Sequence, residues 1–373
     1  SLMYHGEKMR IAHFGAYGIN IGDNIALKNV RRGIEDSFTH PISWTSINIL
    51  DFHAQKNNIE FCKSEFKRIS KEHDLFIIGG GGLLEGGVYN SGFATGYKLP
   101  FTSETLEYLT IPIVVFGVGV NYFRLVDGFT PLGAEEVKGL IEKSLLFSVR
   151  NDGSKEAISS LVGDTSTVIY EVPDPGLLYI KESEDKETID PEKILFQPAW
   201  NGDHRVLAGR FIRDINILEI SKFVKQNKLP IIPHSPKDYN FSGLPQEQFI
   251  TSTSEFKSLA TLENVYNFTD RYSDFSAVIA MRGHGQLISI GANVPSLYLS
   301  TQDKVTNFSK KNGFEDYNID ILEYDWVGKL ESLYHKIIQD PQYITRWHKI
   351  RLNCITKCRQ DFKEYCDLIS SSV

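Results

Sequence analysis

Short apolar runs alternate with amphipathic helical stretches along most of this chain, and few architectures accept that order. In the first half, Arg10–Gly15, Ser43–Leu50, Leu75–Ile78, Ile113–Val118, Leu146–Val149 and Val168–Glu171 read as strands, rich in β-branched and aromatic residues. Helical spacing near residues 23–36, 59–71, 102–109, 133–143 and 153–161 falls between most of them. Parallel strands need long crossovers and helices supply them, so the order predicts a mostly parallel sheet covered by helices. The piece Tyr179–Lys193 is charged and poor in apolar residues and reads as a linker. Beyond it, strands are expected at Ile194–Gln197, Leu229–Pro233, Val265–Phe268, Ala277–Met281 and Ser296–Leu299, with a helix near 206–226. At 373 residues the chain exceeds the size, about 250–300 residues, at which single cores stop growing. The expectation is therefore two α/β domains, 1–178 and 194–340, joined by 179–193. A C-terminal piece, 341–373, carries a long amphipathic helix at roughly 341–369 that packs across the domains.

A formal net charge of -7 argues against a general nucleic-acid binder, which would show a basic stripe, so any anion site must be local. The longest apolar run, around Ile111–Val120, is too short to cross a bilayer and contains Pro112 and two glycines. The start SLMYHGEKMR lacks a signal-peptide core. A cytoplasmic protein is expected, with a peripheral seat at the inner face of the membrane left open. Cys354, Cys358 and Cys366 recur on one helical face beside Trp347, Ile355, Phe362 and Ile369, and Cys62 sits in a similar stretch. They read as reduced core thiols, since no CxxC pair or histidine cluster supports zinc. No metal or organic cofactor is expected.

The chemistry-bearing residues gather at the ends of expected strands. In AVIAMRGHGQLISIGANVPSLYLSTQDK, an apolar run stops at Arg282, Gly283, His284 and Gly285, a helix follows, and Lys304 comes after the next strand. Open α/β sheets bind ligands at the carboxyl ends of their strands, and a helix N-terminus there favours an anion. Arg150 ends the run LLFSVR, ahead of a helix expected to be capped by Asn151 or Asp152. In HFGAYGINIGDNIAL, Gly15, Gly18 and Gly22 either approach a ligand or shape a turn, and Asp23 or Asn24 is the expected cap. Gly79–Gly82 follow a buried strand, and such a loop suits a cleft wall. In VPDPGLL, Asp174 lies between two prolines and reads as shaping the domain exit. Asn201, Asp203 and His204, then His234, Lys237 and Asp238, sit after two further strands.

Taken together, the NIGDN turn, the IIGGGGLL loop, SVRND, PDPGLL and MRGHG followed by GANVPSLYLSTQDK resemble the polysaccharide pyruvyl transferase family over most of residues 10–305. The resemblance implies a two-domain fold like that of GT-B glycosyltransferases, phosphoenolpyruvate as donor, and a saccharide or lipid-linked saccharide as acceptor. The product would be a pyruvate ketal. The first domain would then be the acceptor side and the second the donor side. Arg150, Arg282, Lys304, Gly283 and Gly285 would bind phosphoenolpyruvate, with His284 as the proton donor. Gly15, Asn20, Asp23, Gly80, Gly81, Gly82, Asn201, His204, His234 and Asp238 would line the cleft on the acceptor's side, and His234, Asp238 and Asp203 are the candidates for a base. Two stretches depart from the family pattern: Gly283 stands where a bulky residue is usual, and GVGVNYFR replaces a loop that usually holds Gln and Pro. Two other readings stay open, a GT-B nucleotide-sugar glycosyltransferase with Glu315 or Asp316 on a ribose, and a non-catalytic carbohydrate-binding relative.

Overall fold

The computed structural model describes residues 8–53, 58–85, 99–121, 128–200 and 214–373. In the first half, β1 (Met9–Gly15), β2 (Ile42–Asn48), β3 (Leu75–Ile78), β4 (Gly81–Glu85), β5 (Ile113–Asn121), β6 (Leu146–Arg150) and β7 (Ile169–Val172) form one sheet. Its order is β2-β1-β3-β5-β6-β7, with β4 paired to β5, and each pairing is parallel. Parallel sheets need cover on both faces, and β3 and β6 are buried along their whole length, β3 as an unbroken apolar run and β6 with Ser148 and Arg150 buried in it. β3 and β4 lie along successive parts of β5, Phe76 beside Ile113 and Gly81 beside Val118. Gly79 and Gly81, at φ +120 and +110, take the chain through the offset in a backbone region that side chains disfavour.

The second sheet is β8 (Ile194–Gln197), β9 (Ala277–Ala280), β10 (Ser296–Ser300) and β11 (Asn318–Asp320), in the order β11-β10-β9-β8 and again parallel. Two expected strands differ. Leu229–Pro233 contributes only bridges at Ile231, to Phe196 and Phe249, because Pro230 and Pro233 have no N–H to extend a ladder. Val265–Phe268 is part of a helix, Val265–Thr269; Val265 and Phe268, three residues apart, both turn inward, a spacing that suits a helix and not a strand.

Helices cover both sheets: α1 (Ile21–Ser37), α2 (Ile59–Glu72), α3 (Pro131–Lys143), α4 (Ser154–Val162), α5 (Asp214–Gln226), α6 (Gly283–Gly291), α7 (Asp303–Asn312), α8 (Trp326–Gln339) and α9 (Pro341–Ser372). Two caps differ from expectation. Asn20 caps α1 by accepting from the Asp23 N–H, and Gly153 stands at the cap of α4. None of the described helices is long and apolar enough to cross a membrane.

α9 touches both sheets. Near its start, Trp347 Nε1 donates to the Tyr298 hydroxyl on β10 at 3.2 Å, and Arg351 donates to the carbonyls of Ile290 and Gly291 at the end of α6. Near its end, Tyr365 donates to the Val115 carbonyl of β5 at 2.8 Å, and Phe362 and Tyr365 pack on Phe116. Cys354, Cys358 and Cys366 lie buried and unbridged on this packed face. Each large side chain buried along it adds about 1.5–3 kcal/mol of apolar transfer energy.

Buried asparagines on α1 join the two halves. Asn24 Nδ2 donates to the Ala260 carbonyl at 2.5 Å, while Asn29 Nδ2 donates to Pro175 and Leu178 and its Oδ1 accepts from Tyr266. The Ile21 N–H, at the start of the helix, donates to the His234 carbonyl at 3.0 Å. These bonds hold α1 against the segments around His234, Ala260 and Tyr266 in the second half.

Candidate active site

The carboxyl edges of both sheets face one cleft of about 690 Å³, its open mouth included. Ala16, Asn20, Gly22 and Asp23 reach it from beyond β1, Gly82 and Leu83 from β4, and Arg150 from the last position of β6. From the second sheet come Ala199, Met281, Arg282, Gly283, His284, Gln302 and Lys304, with His234 beside them. The N-termini of α1, α6 and α7 all open onto it, so the helix dipoles add positive potential to that of the cations.

Arg282 is the most firmly held of the cations. Its Nε donates to Asp238 Oδ2 at 3.1 Å and its Nη2 to Oδ1 at 2.5 Å, a two-pronged pair, and Nη2 also reaches the Trp200 carbonyl. The Arg282 N–H donates to Gln197 Oε1 at 2.9 Å. Asp238 is fully buried and its oxygens also accept from the N–H groups of Trp200, His234 and Ser235. This corrects the placement of Asp238 on the cleft wall and its candidacy as a base. It stands behind Arg282, with its lone pairs occupied, and aims the guanidinium.

Arg150 is buried beneath the cleft, with Nε on Asp152 Oδ2 at 2.5 Å and Nη1 3.6 Å from Asp174 Oδ2. Burial works against its charge, but Asp152 and Asp174 outweigh it and raise its proton affinity further. Gly119 on β5 leaves the room: a side chain there would run into the guanidinium. Asp152 also accepts from the Ser154 hydroxyl. Its neighbour Asn151 accepts from the Asp174 N–H, so neither works as the expected helix cap.

Asp174 turns out to be part of this site and not a mere exit-shaping residue. Its Oδ1 lies 3.2 Å from His284 Nε2 and also accepts from the Gly176 N–H at 2.9 Å. Burial pushes this carboxyl up, yet His284, Arg150 and the Gly176 N–H together hold it well below the usual carboxylate range. The His284 ring sits between two glycines; a Cβ on Gly176 would come within 2.5 Å of its Cδ2, and one on Gly22 would strike Nδ1. With Nε2 on Asp174, Nδ1 is the nitrogen left on the Gly22 side of the cleft.

Lys304, in the first turn of α7, has no hydrogen-bond or ion-pair partner among the described residues. Burial, then the charges of Arg150 and Arg282, lower its amine to about 8 against the partial support of Asp152 and Asp174. Its stem passes Gly283, where a Cβ would come 3.3 Å from Lys304 Cε. A bulky residue at 283 would press on this lysine, so the glycine sets how freely the ammonium can swing.

His234 lines the cleft as a buried ring, with Nε2 2.5 Å from the Tyr272 hydroxyl and Nδ1 unbonded among the described residues. Burial first, then Arg282 and His284, drive its proton affinity far down, so it stays neutral. A second neutral histidine, His13, supports the glycine loop. Arg31 Nε donates to its Nδ1 at 3.0 Å, which leaves Nε2–H to donate to the Gly79 carbonyl. Burial and Arg31 lower its pKa to about 3.

Other expected positions fall elsewhere. Gly15 is packed against Leu27, where a Cβ would approach Cδ2 to 2.5 Å, so its small size serves packing and not ligand approach. Gly285 abuts Gln197 in the interior and is likewise no part of the wall. Gly80 faces Ala26 and Pro175, Gly81 faces the Asp23 carboxylate, and Gly82 lines the cleft. Asn201, Asp203 and His204 lie outside the described residues. Gln197, Gly119, Gly176 and Gln302 went unnoticed in the sequence. Gln197 had a signal, an amide ending an otherwise apolar strand run.

Two parallel sheets whose carboxyl edges face one cleft, with a long helix across both, define a GT-B-like architecture. Solved structures agree: the chain matches S. aureus MnaA, in a co-structure with UDP, at TM-score 0.52 and 11% identity over 92% of this chain and 90% of that one. A putative UDP-N-acetylglucosamine 2-epimerase from Listeria monocytogenes matches at TM-score 0.51 and 11% identity, over 92% of this chain and 91% of that one. At such identity the likeness concerns the fold alone. Comparison with curated proteins finds no match. Residues 20–303 match the family described as polysaccharide pyruvyl transferase, and the chain belongs to that family.

Proposed function

We propose that this protein transfers the pyruvyl group of phosphoenolpyruvate onto two hydroxyls of a saccharide, free or lipid-linked, forming a cyclic ketal and releasing phosphate. The observation that carries this reading is Lys304, an ammonium that makes no hydrogen bond or close ion pair with any described residue, beside two arginines and three helix N-termini. A compact anion with two charged groups, a carboxylate and a phosphate, matches the spread of Arg150, Arg282 and Lys304.

In this reading Arg282, fixed by Asp238, and Arg150, fixed by Asp152 and Asp174, hold the donor without moving themselves. Lys304 follows the phosphate. His284, with its ring oriented by Asp174, delivers the proton from Nδ1 to the terminal methylene, and the central carbon becomes electrophilic. One sugar hydroxyl adds there, phosphate leaves, and the second hydroxyl closes the ring. Two additions at one carbon require a firmly held acceptor, and the cleft wall from α1 and β4 faces the donor side for that purpose.

The direct test is a thermal shift with phosphoenolpyruvate, followed by phosphate release with methyl galactosides and methyl mannosides and a proton NMR search for a ketal methyl signal. A shift with UDP or a UDP-sugar and none with phosphoenolpyruvate would sink the proposal and favour a nucleotide-sugar enzyme.

A pH dependence follows from Lys304. Its amine titrates near 8, so the ammonium is present below that pH and lost above it. Phosphoenolpyruvate affinity is therefore expected to hold from pH 6.5 to 7.5 and to weaken by up to about tenfold per unit beyond 8. Isothermal titration across this range checks it, and Lys304→Met should bind more weakly at pH 7 and show a flat profile.

A further inference from the structure

We propose that Asp23 is the general base that takes the proton from the attacking acceptor hydroxyl, an inference that rests on the pyruvyl-transfer reading above. A ketal-forming step needs such a base, and the described residues in and behind the cleft can be taken in turn. Asp238 is fully buried behind Arg282, with both oxygens bonded. Asp152 is tied to Arg150 and Ser154, and Asp174 to His284, Arg150 and the Gly176 N–H. His234 keeps a strongly reduced proton affinity through burial and the adjoining Arg282 and His284, which leaves it a poor acceptor.

Asp23 differs from all of these. Among the described acids at the cleft, its carboxylate is the one that makes no hydrogen bond or close ion pair with any described residue. It is half-buried in the first turn of α1, and its backbone N–H is held by the Asn20 cap at 3.1 Å, so the side chain starts from a fixed point. Gly81, where a Cβ would come 3.4 Å from Asp23 Oδ1, leaves open space beside the carboxylate. The residue stands at the start of α1 and lines the same cleft as Arg282 and Lys304, where an acceptor would approach a donor held by those cations. The charge of Asp23 supports the Arg150 guanidinium through space, but no hydrogen bond occupies its oxygens, which stay open to a proton from a hydroxyl in the cleft.

The proton balance closes. His284, as imidazolium, gives its Nδ1 proton to the donor methylene, which becomes a methyl group. The first hydroxyl oxygen bonds to the central carbon as Asp23 takes its proton. The bond from that carbon to the phosphate oxygen breaks, and the Asp23 proton leaves on the phosphate. The second hydroxyl oxygen then bonds to the same carbon, and its proton restores the His284 imidazolium. Both side chains end as they began, with one ketal and one phosphate formed.

The test uses Asp23→Asn, Asp23→Glu and Asp23→Ala in the full chain, with phosphoenolpyruvate and whichever methyl galactoside or methyl mannoside the parent converts fastest. All three variants are expected to keep the parent's phosphoenolpyruvate thermal shift or enlarge it, because a negative charge has left or moved. Asp23→Asn should lose at least about 100-fold in kcat. Asp23→Glu should recover part of the rate, and formate should restore part of it to Asp23→Ala. An Asp23→Asn protein that binds phosphoenolpyruvate and turns over within about twofold of the parent overturns the inference and leaves the pyruvyl-transfer reading standing. A parent that converts none of these sugars in the presence of phosphoenolpyruvate overturns the reading, and the role of Asp23 with it.

Discussion

His284→Ala is expected to bind phosphoenolpyruvate as the parent does and to lose about 10²–10⁴-fold in turnover, the range typical of a removed general acid. Under the proposed function the donor's charge is held by Arg150, Arg282 and Lys304, which line the cleft with His284, and not by the ring. Its only polar contact among the described residues is Asp174 at 3.2 Å, so its loss leaves one buried carboxylate still supported by Arg150 and the Gly176 N–H. The fold should therefore survive. Paired measurements of the phosphoenolpyruvate thermal shift and of phosphate release decide the matter: unchanged turnover removes His284 as the acid, and lost donor affinity would move it into the binding set.

Asp238→Ala should destabilise the protein by about 3–5 kcal/mol, the cost of stranding a buried charge. Arg282 would lose both prongs of its pair, and the N–H groups of Trp200, His234 and Ser235 would lose their acceptor at once. Asp238→Asn keeps an oxygen for some of these donors but turns an amide toward the guanidinium, so an intermediate loss is expected. Urea midpoints for the three proteins give the comparison. A fully stable Asp238→Ala protein would show that the carboxylate is not what holds this corner together, and would reopen its candidacy as a base.

The parallel α/β layers were legible because their signal is repetitive: a buried strand announces itself by a continuous apolar run, and a covering helix by its spacing. Where the apolar run was short and flanked by proline, as at Leu229–Pro233, or spaced by three, as at Val265 and Phe268, the same composition served a different backbone. The gathering of Arg150, Arg282, His284 and Lys304 was legible for a related reason. A charged residue at the end of a buried strand can only emerge at the sheet's carboxyl edge, and both edges meet at one cleft. Glycines were another matter, because lack of a side chain permits close packing and ligand approach alike. Gly15 and Gly285 pack against Leu27 and Gln197, whereas Gly22 stands at the cleft. The partners of the charged residues were hidden for a third reason: Asp238 and Asp174 meet Arg282 and His284 across 44 and 110 positions, and no local pattern records such distances.

The placement of α9 sets how the cleft can open. One end is bonded to β10 and α6 and the other to β5, so the helix works as a rigid splint along the back of the molecule. Sliding of one sheet past the other is therefore opposed at both ends of the splint, while the bonds of Ile21, Asn24 and Asn29 tie the halves again on the cleft side. The two sheets are thus clamped from front and back, so the charged groups at their carboxyl edges keep a fixed spacing.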